Sequence, residues 1–237
     1  MSGISIKNLG VKYDDKVIFD GFDLDVKENK ISVILGGSGV GKTTLLNAIA
    51  GLKSYVGEIE TGNVGVSYIF QKDRLIPTIS VYKNLDLILR SQMKDKKARR
   101  EKIENMLELL EISDIENKLP TEISGGQAQR VAMARAYLFE SGILLLDEPF
   151  KALDTALKAR LLKALVELNE RSPRTIVFVT HAIDECLLAA DEYFVLGKVD
   201  DSVKVVESGE IVSDKKSRSL ADENLAEVRE KLLKALL

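Results

Sequence analysis

Four short, largely apolar runs, Ile31 to Leu35, Val66 to Phe70, Gly142 to Leu146 and Thr175 to Val179, stand out along this chain. Each has strand length and lacks apolar/polar alternation, so each reads as a strand buried on both faces of a mainly parallel sheet. Ser5 to Asn8 and Phe22 to Val26 do alternate, which predicts a separate antiparallel layer within residues 1 to about 30. Helical patterns cover Thr44 to Leu52, Val81 to Arg90, Arg99 to Leu110, Ala128 to Tyr137 and Ile183 to Ala190. In the third of these, Ile103, Met106, Leu107 and Leu110 share one face. Ser219 is placed to cap a last helix whose Leu225, Val228, Leu232 and Leu236 form a stripe that docks on the body of the protein. The pattern therefore predicts an α/β fold: one unit over residues 1–237, with a helical insertion over about 72–140 and a C-terminal helix within 219–237.

Composition narrows the classes. With 237 residues, 45% hydrophobic and 30% charged, the chain can bury a sizeable core. A net charge of −3 gives no general attraction to nucleic acid, and none is expected as a partner. No apolar run approaches the ~18 residues of a membrane span, and Met1 to Gly10 lacks the apolar core of a signal peptide, so a cytoplasmic location is expected. The single cysteine, Cys186, reads as helix packing. The basic run Lys94 to Arg100 reads as a solvated helix surface.

The chemistry begins at Gly36-Gly37-Ser38-Gly39-Val40-Gly41-Lys42-Thr43, between a strand and a helix that starts near Thr44. This is a complete phosphate-binding loop, the mark of a P-loop NTPase core. Its glycines let backbone N–H groups turn toward phosphates, and the helix N-terminus adds open N–H groups and a positive dipole end. Lys42 should reach the β- and γ-phosphates, and the Thr43 hydroxyl should bind Mg²⁺. Ser124, followed by Gly125-Gly126-Gln127, is a natural N-cap whose glycines leave the first turn open. That makes either an ordinary capped helix or a second anion site. One nucleotide needs two such sites only where they meet across a dimer. The strand ending in Asp147-Glu148-Pro149 places two acids beyond its carboxyl end, where ligands of parallel sheets sit. Asp147 should orient the metal's shell, and Glu148 should polarise an attacking water.

Together these segments resemble the ATP-binding cassette (ABC) ATPases, whose signature is normally Leu-Ser-Gly-Gly-Gln; here Ile123 replaces the leucine. The resemblance runs from about Ser5 to Val206 and implies the ABC ATPase fold, with its mixed sheet, antiparallel layer and helical signature subdomain. It also implies ATP hydrolysis with ATP and Mg²⁺. By resemblance, Ser124, Gly125, Gly126 and Gln127 contact the γ-phosphate held by the other subunit. His181, the only histidine, is the switch residue that holds the attacking water. Gln71 is the mobile Mg²⁺ and water ligand, and Asp154, in Lys151-Ala152-Leu153-Asp154, reaches across the dimer. The family usually has a small residue at Lys151. Tyr13 falls at the adenine-stacking position, with sheet packing as the alternative.

The short distance from Gln71 to Ser124 leaves no room for the coiled coil of DNA-associated members, and one nucleotide unit differs from the tandem translation-type members. Phe70 to Pro77 and Glu148-Pro149-Phe150 resemble importer ATPases for nitrate, sulfonates and taurine, although many of those have Trp at Thr78. Their lack of a C-terminal regulatory domain also fits. The implied partners are a second ATPase subunit, an integral membrane permease and, for an importer, an extracytoplasmic solute-binding protein, with this chain peripheral on the inner membrane face. Leu75, Ile76, Ile79 and Tyr82 offer the apolar side of a groove for a partner's helix. An efflux or lipoprotein-releasing ATPase, or a soluble regulatory one, is the alternative; the solute itself is not encoded here.

Overall fold

Runs that are apolar on every residue need cover on both faces, and the tertiary structure supplies it. The computed structural model describes residues 2–14, 16–151, 153–200, 202–215 and 217–237. In chain order, β1 (Ser2–Tyr13) and β2 (Lys16–Lys27) precede β3 (Ile31–Gly36), α1 (Lys42–Ile49), β4 (Val56–Glu60) and β5 (Val66–Ile69). The helices α2 (Val81–Leu89), α3 (Lys96–Leu109) and α4 (Gly125–Leu138) come next, then β6 (Ile143–Asp147), α5 (Thr155–Arg171), β7 (Thr175–Val179) and α6 (Ile183–Ala189). The hairpin of β8 (Glu192–Val199) and β9 (Ser202–Glu210) and the helix α7 (Ala226–Leu236) follow.

The main sheet has the order β5-β6-β7-β3-β8-β9. Its pairings are parallel except that of β8 with β9. Along the buried strands β6 and β7, successive residues serve two apolar clusters. Ile143, Leu145, Val177 and Val179 face one of them. Leu144, Leu146, Ile176 and Phe178 face the other, where they meet residues of α2 through α7. This period of two is invisible in composition because both faces are apolar. The first cluster is roofed by the antiparallel sheet β2-β1-β4, whose Ile4, Ile6, Leu9, Phe22, Leu24 and Val26 share it with Leu45 and Leu46 of α1.

Several expectations need correction. β8 is a fifth parallel strand beyond the four runs, and β4 and β9 add further strands. α1 spans Lys42–Ile49 rather than Thr44 to Leu52. α3 begins at Lys96, because Asp95 accepts hydrogen bonds from the backbone N–H groups of Lys97 and Ala98. The basic run is not wholly solvated: Arg99 is buried and donates to Asp86 at 2.7 Å. Ser219 does not cap α7. Its hydroxyl accepts from Ala221 N–H, its own N–H donates to Asp222, and α7 starts only after a 3₁₀ turn at Glu223–Leu225. Leu225 and Leu232 do bury against the main core, with Val228 and Leu236 partly buried beside them.

Candidate nucleotide site

The carboxyl ends of β3 and β6 lie two strands apart, with β7 between them, and the phosphate loop meets Asp147 and Glu148 there. Gly41 precedes α1 at φ 118, in the left-handed region, and a Cβ on it would come within 2.9 Å of Ile18 Cγ2. Only glycine fits that approach. No side chain caps α1, so its first N–H groups stay open for an anion. The buried Lys42 ammonium turns back onto the loop and donates to Gly36 O at 2.7 Å and Gly37 O at 2.9 Å. Burial pushes its pKa below the usual lysine value, against the pull of Glu148 and Asp147.

Thr43 Oγ1 donates to Asp147 Oδ1 at 3.1 Å. Asp147 is 3% exposed, and burial raises its pKa, although Thr43 and Lys42 oppose the rise. Glu148 sits at φ 49, an unfavourable conformation for a residue with a Cβ, and its backbone N–H is tied to Val179 O at 3.0 Å. Its side-chain oxygens are shared between two partners. Oε2 takes Lys151 Nζ at 2.7 Å, and Oε1 takes His181 Nδ1–H at 3.2 Å. Burial tends to raise the pKa of Glu148, but hydrogen bonds from Lys151 and His181 outweigh it and hold the carboxyl below its usual range.

A cavity of about 280 Å³ joins these groups. It is lined by Ser38, Gly39, Gly41, Lys42, Thr43, Thr44, Gln71, Asp147, Glu148 and Lys151, with Ile18 at one side. Gly36, Gly37 and Val40 do not line it; Gly36 and Gly37 serve through their carbonyls, and the Val40 side chain is buried in the core. Thr43, Asp147 and Gln71 all line it and offer hydroxyl, carboxylate and amide oxygens, a hard-oxygen set that suits Mg²⁺. Among the described residues no three His, Cys, Asp or Glu side chains cluster to hold a metal by themselves. A cation here would therefore complete its shell with phosphate and water, as Mg²⁺ does.

The remaining expected residues lie apart from this cavity. Ser124 caps α4 in a closed capping box: Ser124 Oγ accepts from Gln127 N–H at 3.2 Å, and Gln127 Oε1 accepts from Ser124 N–H at 2.9 Å. Ser124 and Gly125 are exposed, and a Cβ on Gly125 would meet nothing within 4 Å, so this helix start is open to a partner. Asp154 caps α5 by accepting from Leu157 N–H at 3.0 Å. Tyr13 ends β1, 42% exposed, with the Lys53 ammonium 3.7 Å above its ring. Two groups were not anticipated. Gln129 of α4 donates to the Glu148 carbonyl at 3.4 Å, and Lys151 binds Glu148 directly. Of the expected groove, Leu75 and Tyr82 are partly buried against the core and Ile76 is exposed; a separate cavity of about 340 Å³ opens beside Leu52, Tyr68, Phe70, Ile88 and Phe139.

A glycine-lined loop at a helix start, a buried lysine and two acids at the end of a parallel strand define a P-loop nucleoside triphosphatase. Residues 19–151 match the model of the ABC transporter family, and the chain belongs to that family. It is similar to the aliphatic sulfonates import ATP-binding protein SsuB 2 of Pseudomonas savastanoi pv. phaseolicola, at 38% identity over 85% of this chain and 74% of that protein. The maltose/maltodextrin import ATP-binding protein MalK of Vibrio cholerae is 33% identical over 83% of this chain, which spans 56% of MalK. Among solved structures, the dimeric bacterial ABC transporter cassette MJ0796 superposes with a TM-score of 0.80 at 28% identity, covering 89% of this chain and 100% of that one. A dimer of the same cassette bound to ADP and Pi gives a TM-score of 0.78 at 27% identity, over 89% and 100% of the two chains. This chain is thus an ATP-hydrolysing subunit of an ABC transporter of the importer type. Among the described residues no helix is long and apolar enough to cross a membrane.

Proposed function

We propose that two copies of this chain close around two ATP molecules and drive import of a small oxyanion such as a sulfonate through a separate membrane permease. The observation that carries this reading is the meeting of Lys42, Thr43, Asp147 and Glu148 on one cavity, while the open Ser124 cap lies elsewhere on the same chain. A site split in this way is complete only when a second copy presents its α4 start to the phosphates. Residues 1–237 form one ABC ATPase unit in this reading, with 72–140 as its helical subdomain and 219–237 contributing the C-terminal helix.

Lys42, the loop N–H groups, Ser38 and Thr44 bind phosphate, and Tyr13 stacks the base. Thr43, Asp147 and Gln71 would hold Mg²⁺, which when bound neutralises phosphate charge. Glu148 polarises the attacking water and His181 orients it. Asp154 and Gln127 reach the other copy. The permease lays an apolar helix face into the groove beside Tyr68, Phe70 and Phe139, which keeps this chain on the inner membrane face. An extracytoplasmic solute-binding protein delivers the solute.

The test is reconstitution with the membrane protein encoded next to this chain. ATP-driven uptake of a labelled sulfonate into vesicles, lost with Glu148→Gln, is the expected result. No association with any multi-span protein, together with tight salt-sensitive binding to DNA or RNA, would replace this reading with a nucleic-acid-linked ATPase.

A further inference from the structure

Lys151 and Lys42 place two ammonium groups on one 280 Å³ cavity. Burial is the main cause that disfavours the charged form of Lys42, and Lys151 adds to it, as a like charge facing the same space must. The two cations differ in how they are held. Lys42 is buried and lies on the loop carbonyls. The Lys151 side chain is 54% exposed, and among the described residues its ammonium makes one ion pair, to Glu148 Oε2 at 2.7 Å. That pair sits in a tight turn in which Lys151 N–H also donates to Glu148 O at 3.3 Å. Lysine is a compact charge on a flexible stem, so its head can change partners without moving that turn.

The same contact ties up an oxygen of the one carboxylate that stands free of the Thr43–Asp147 pair. With His181 on Oε1 and Lys151 on Oε2, both oxygens of Glu148 are engaged. A carboxylate so held has fewer lone pairs to offer an attacking water. A triphosphate entering the cavity carries several negative charges against the single charge of Glu148, and it presents terminal oxygens to the space that both lysines face.

We propose that Lys151 is a second phosphate-binding cation of this site: it leaves Glu148 for the terminal phosphate of a bound nucleoside triphosphate, and in leaving frees the carboxylate for water. The proposal rests on the reading of this cavity as the nucleotide site. It gives the ion pair a role as a latch that the substrate itself opens, so Glu148 is released only when a terminal phosphate is present. A diphosphate, which lacks that group, leaves the latch shut.

The experiment measures ATP and ADP affinity by direct titration of the full chain, with Mg²⁺ withheld so that the ligand is not consumed. Lys151→Met should lower ATP affinity about tenfold while changing ADP affinity less than twofold, and Lys151→Arg should recover most of the loss, because a charge-assisted contact to phosphate is removed and then restored. Glu148→Gln should tighten ATP binding by freeing Lys151, and that gain should disappear when Lys151→Met is added. An unchanged ATP to ADP ratio in Lys151→Met, or a full Glu148→Gln gain without Lys151, would overturn the proposal. Lys42→Ala serves as the separate control. If it bound ATP as the wild type does, the nucleotide site itself would be misplaced; if it lost ATP while Lys151→Met did not, only the role of Lys151 would fall.

Discussion

Thr43 and Asp147, 104 positions apart in sequence, meet through a 3.1 Å hydrogen bond in which the threonine hydroxyl donates to the carboxylate. The bond joins the start of α1 to the end of β6 across the site. It also fixes the carboxylate where a hard cation would be shared between the two side chains. Chelation of Mg²⁺ is expected to stop ATP hydrolysis while leaving the melting temperature of the nucleotide-free protein unchanged. Asp147→Asn should lose hydrolysis in the same way. A chelated wild type that hydrolyses ATP at its full rate would remove the metal from the mechanism.

Lys42 and His181 should fail at different steps. Lys42 is buried beside the phosphate loop, and Lys42→Ala takes away a charge that binds phosphate in the ground state. His181 touches Glu148 rather than the loop, so His181→Ala should cut hydrolysis about a hundredfold through lost positioning and leave ATP affinity within a few-fold of wild type. Titration of ATP against both variants checks this. Equal loss of binding in the two would contradict the assignment of His181.

The phosphate loop was legible because its eight residues are contiguous and their backbone does the work. The Thr43–Asp147 meeting was legible too, since parallel strands present their carboxyl ends together. What escaped detection depends on partners distant in sequence. β4 is mostly exposed and is held as a strand by pairing with β1, which its own residues do not announce. Arg99 lies in a run of like charges, and nothing in that run shows that Asp86 waits inside the fold to receive it. Lys151 was visible as a residue, but its contact with Glu148 appears only once the turn after β6 is built.

Asp86 and Arg99 give a prediction about stability. Both side chains are nearly buried, at 5% and 10% exposure, and Asp86 also accepts from Arg90 at 2.7 Å. Arg99→Ala leaves a buried carboxylate short of its partner and should destabilise the fold by about 3 kcal/mol, read from urea midpoints. Burial would raise the Asp86 pKa, but hydrogen bonds from Arg99 and Arg90 win and hold it below the ordinary aspartate value. The sign follows directly. A depressed folded pKa gives stability that is present above the unfolded value of about 3.9 and is lost as pH falls through the folded one. Asp86→Asn should therefore flatten the acid limb of the stability curve below about pH 4. An Asp86→Asn limb as steep as the wild type's would show that other carboxylates govern acid unfolding.

Tyr13 should bind the base through its ring alone. Tyr13→Phe is expected to be nearly silent, whereas Tyr13→Ala should weaken ATP and GTP alike by about fivefold or more, since stacking accepts any flat base at about 1–3 kcal/mol. The ring already carries the Lys53 ammonium on one face at 3.7 Å, so it is an exposed platform and not a core side chain. Titration with both nucleotides decides the matter. Identical affinities in wild type and Tyr13→Ala would return the residue to sheet packing.

The closing of two copies is tested most directly by a protein that binds ATP and cannot consume it. Glu148→Gln keeps the shape of the side chain and loses its charge and basicity, so hydrolysis should fail while binding survives. The terminal phosphate then stays in place between Lys42 of one copy and the Ser124 cap of the other. The dimer should accumulate and be seen as a doubled mass in solution with ATP, and as a single-chain mass with ADP, because only ATP supplies the group that both copies grip. Gly125 and Ser124 are open to solvent in the single chain, so Ser124→Arg can be accommodated by the fold while its bulk fills the approach to the helix start. Combined with Glu148→Gln, it should return the ATP-bound protein to single-chain mass. A Glu148→Gln protein that stays monomeric at saturating ATP, alongside Ser124→Arg hydrolysis equal to wild type with the membrane partner present, would show that each copy works alone.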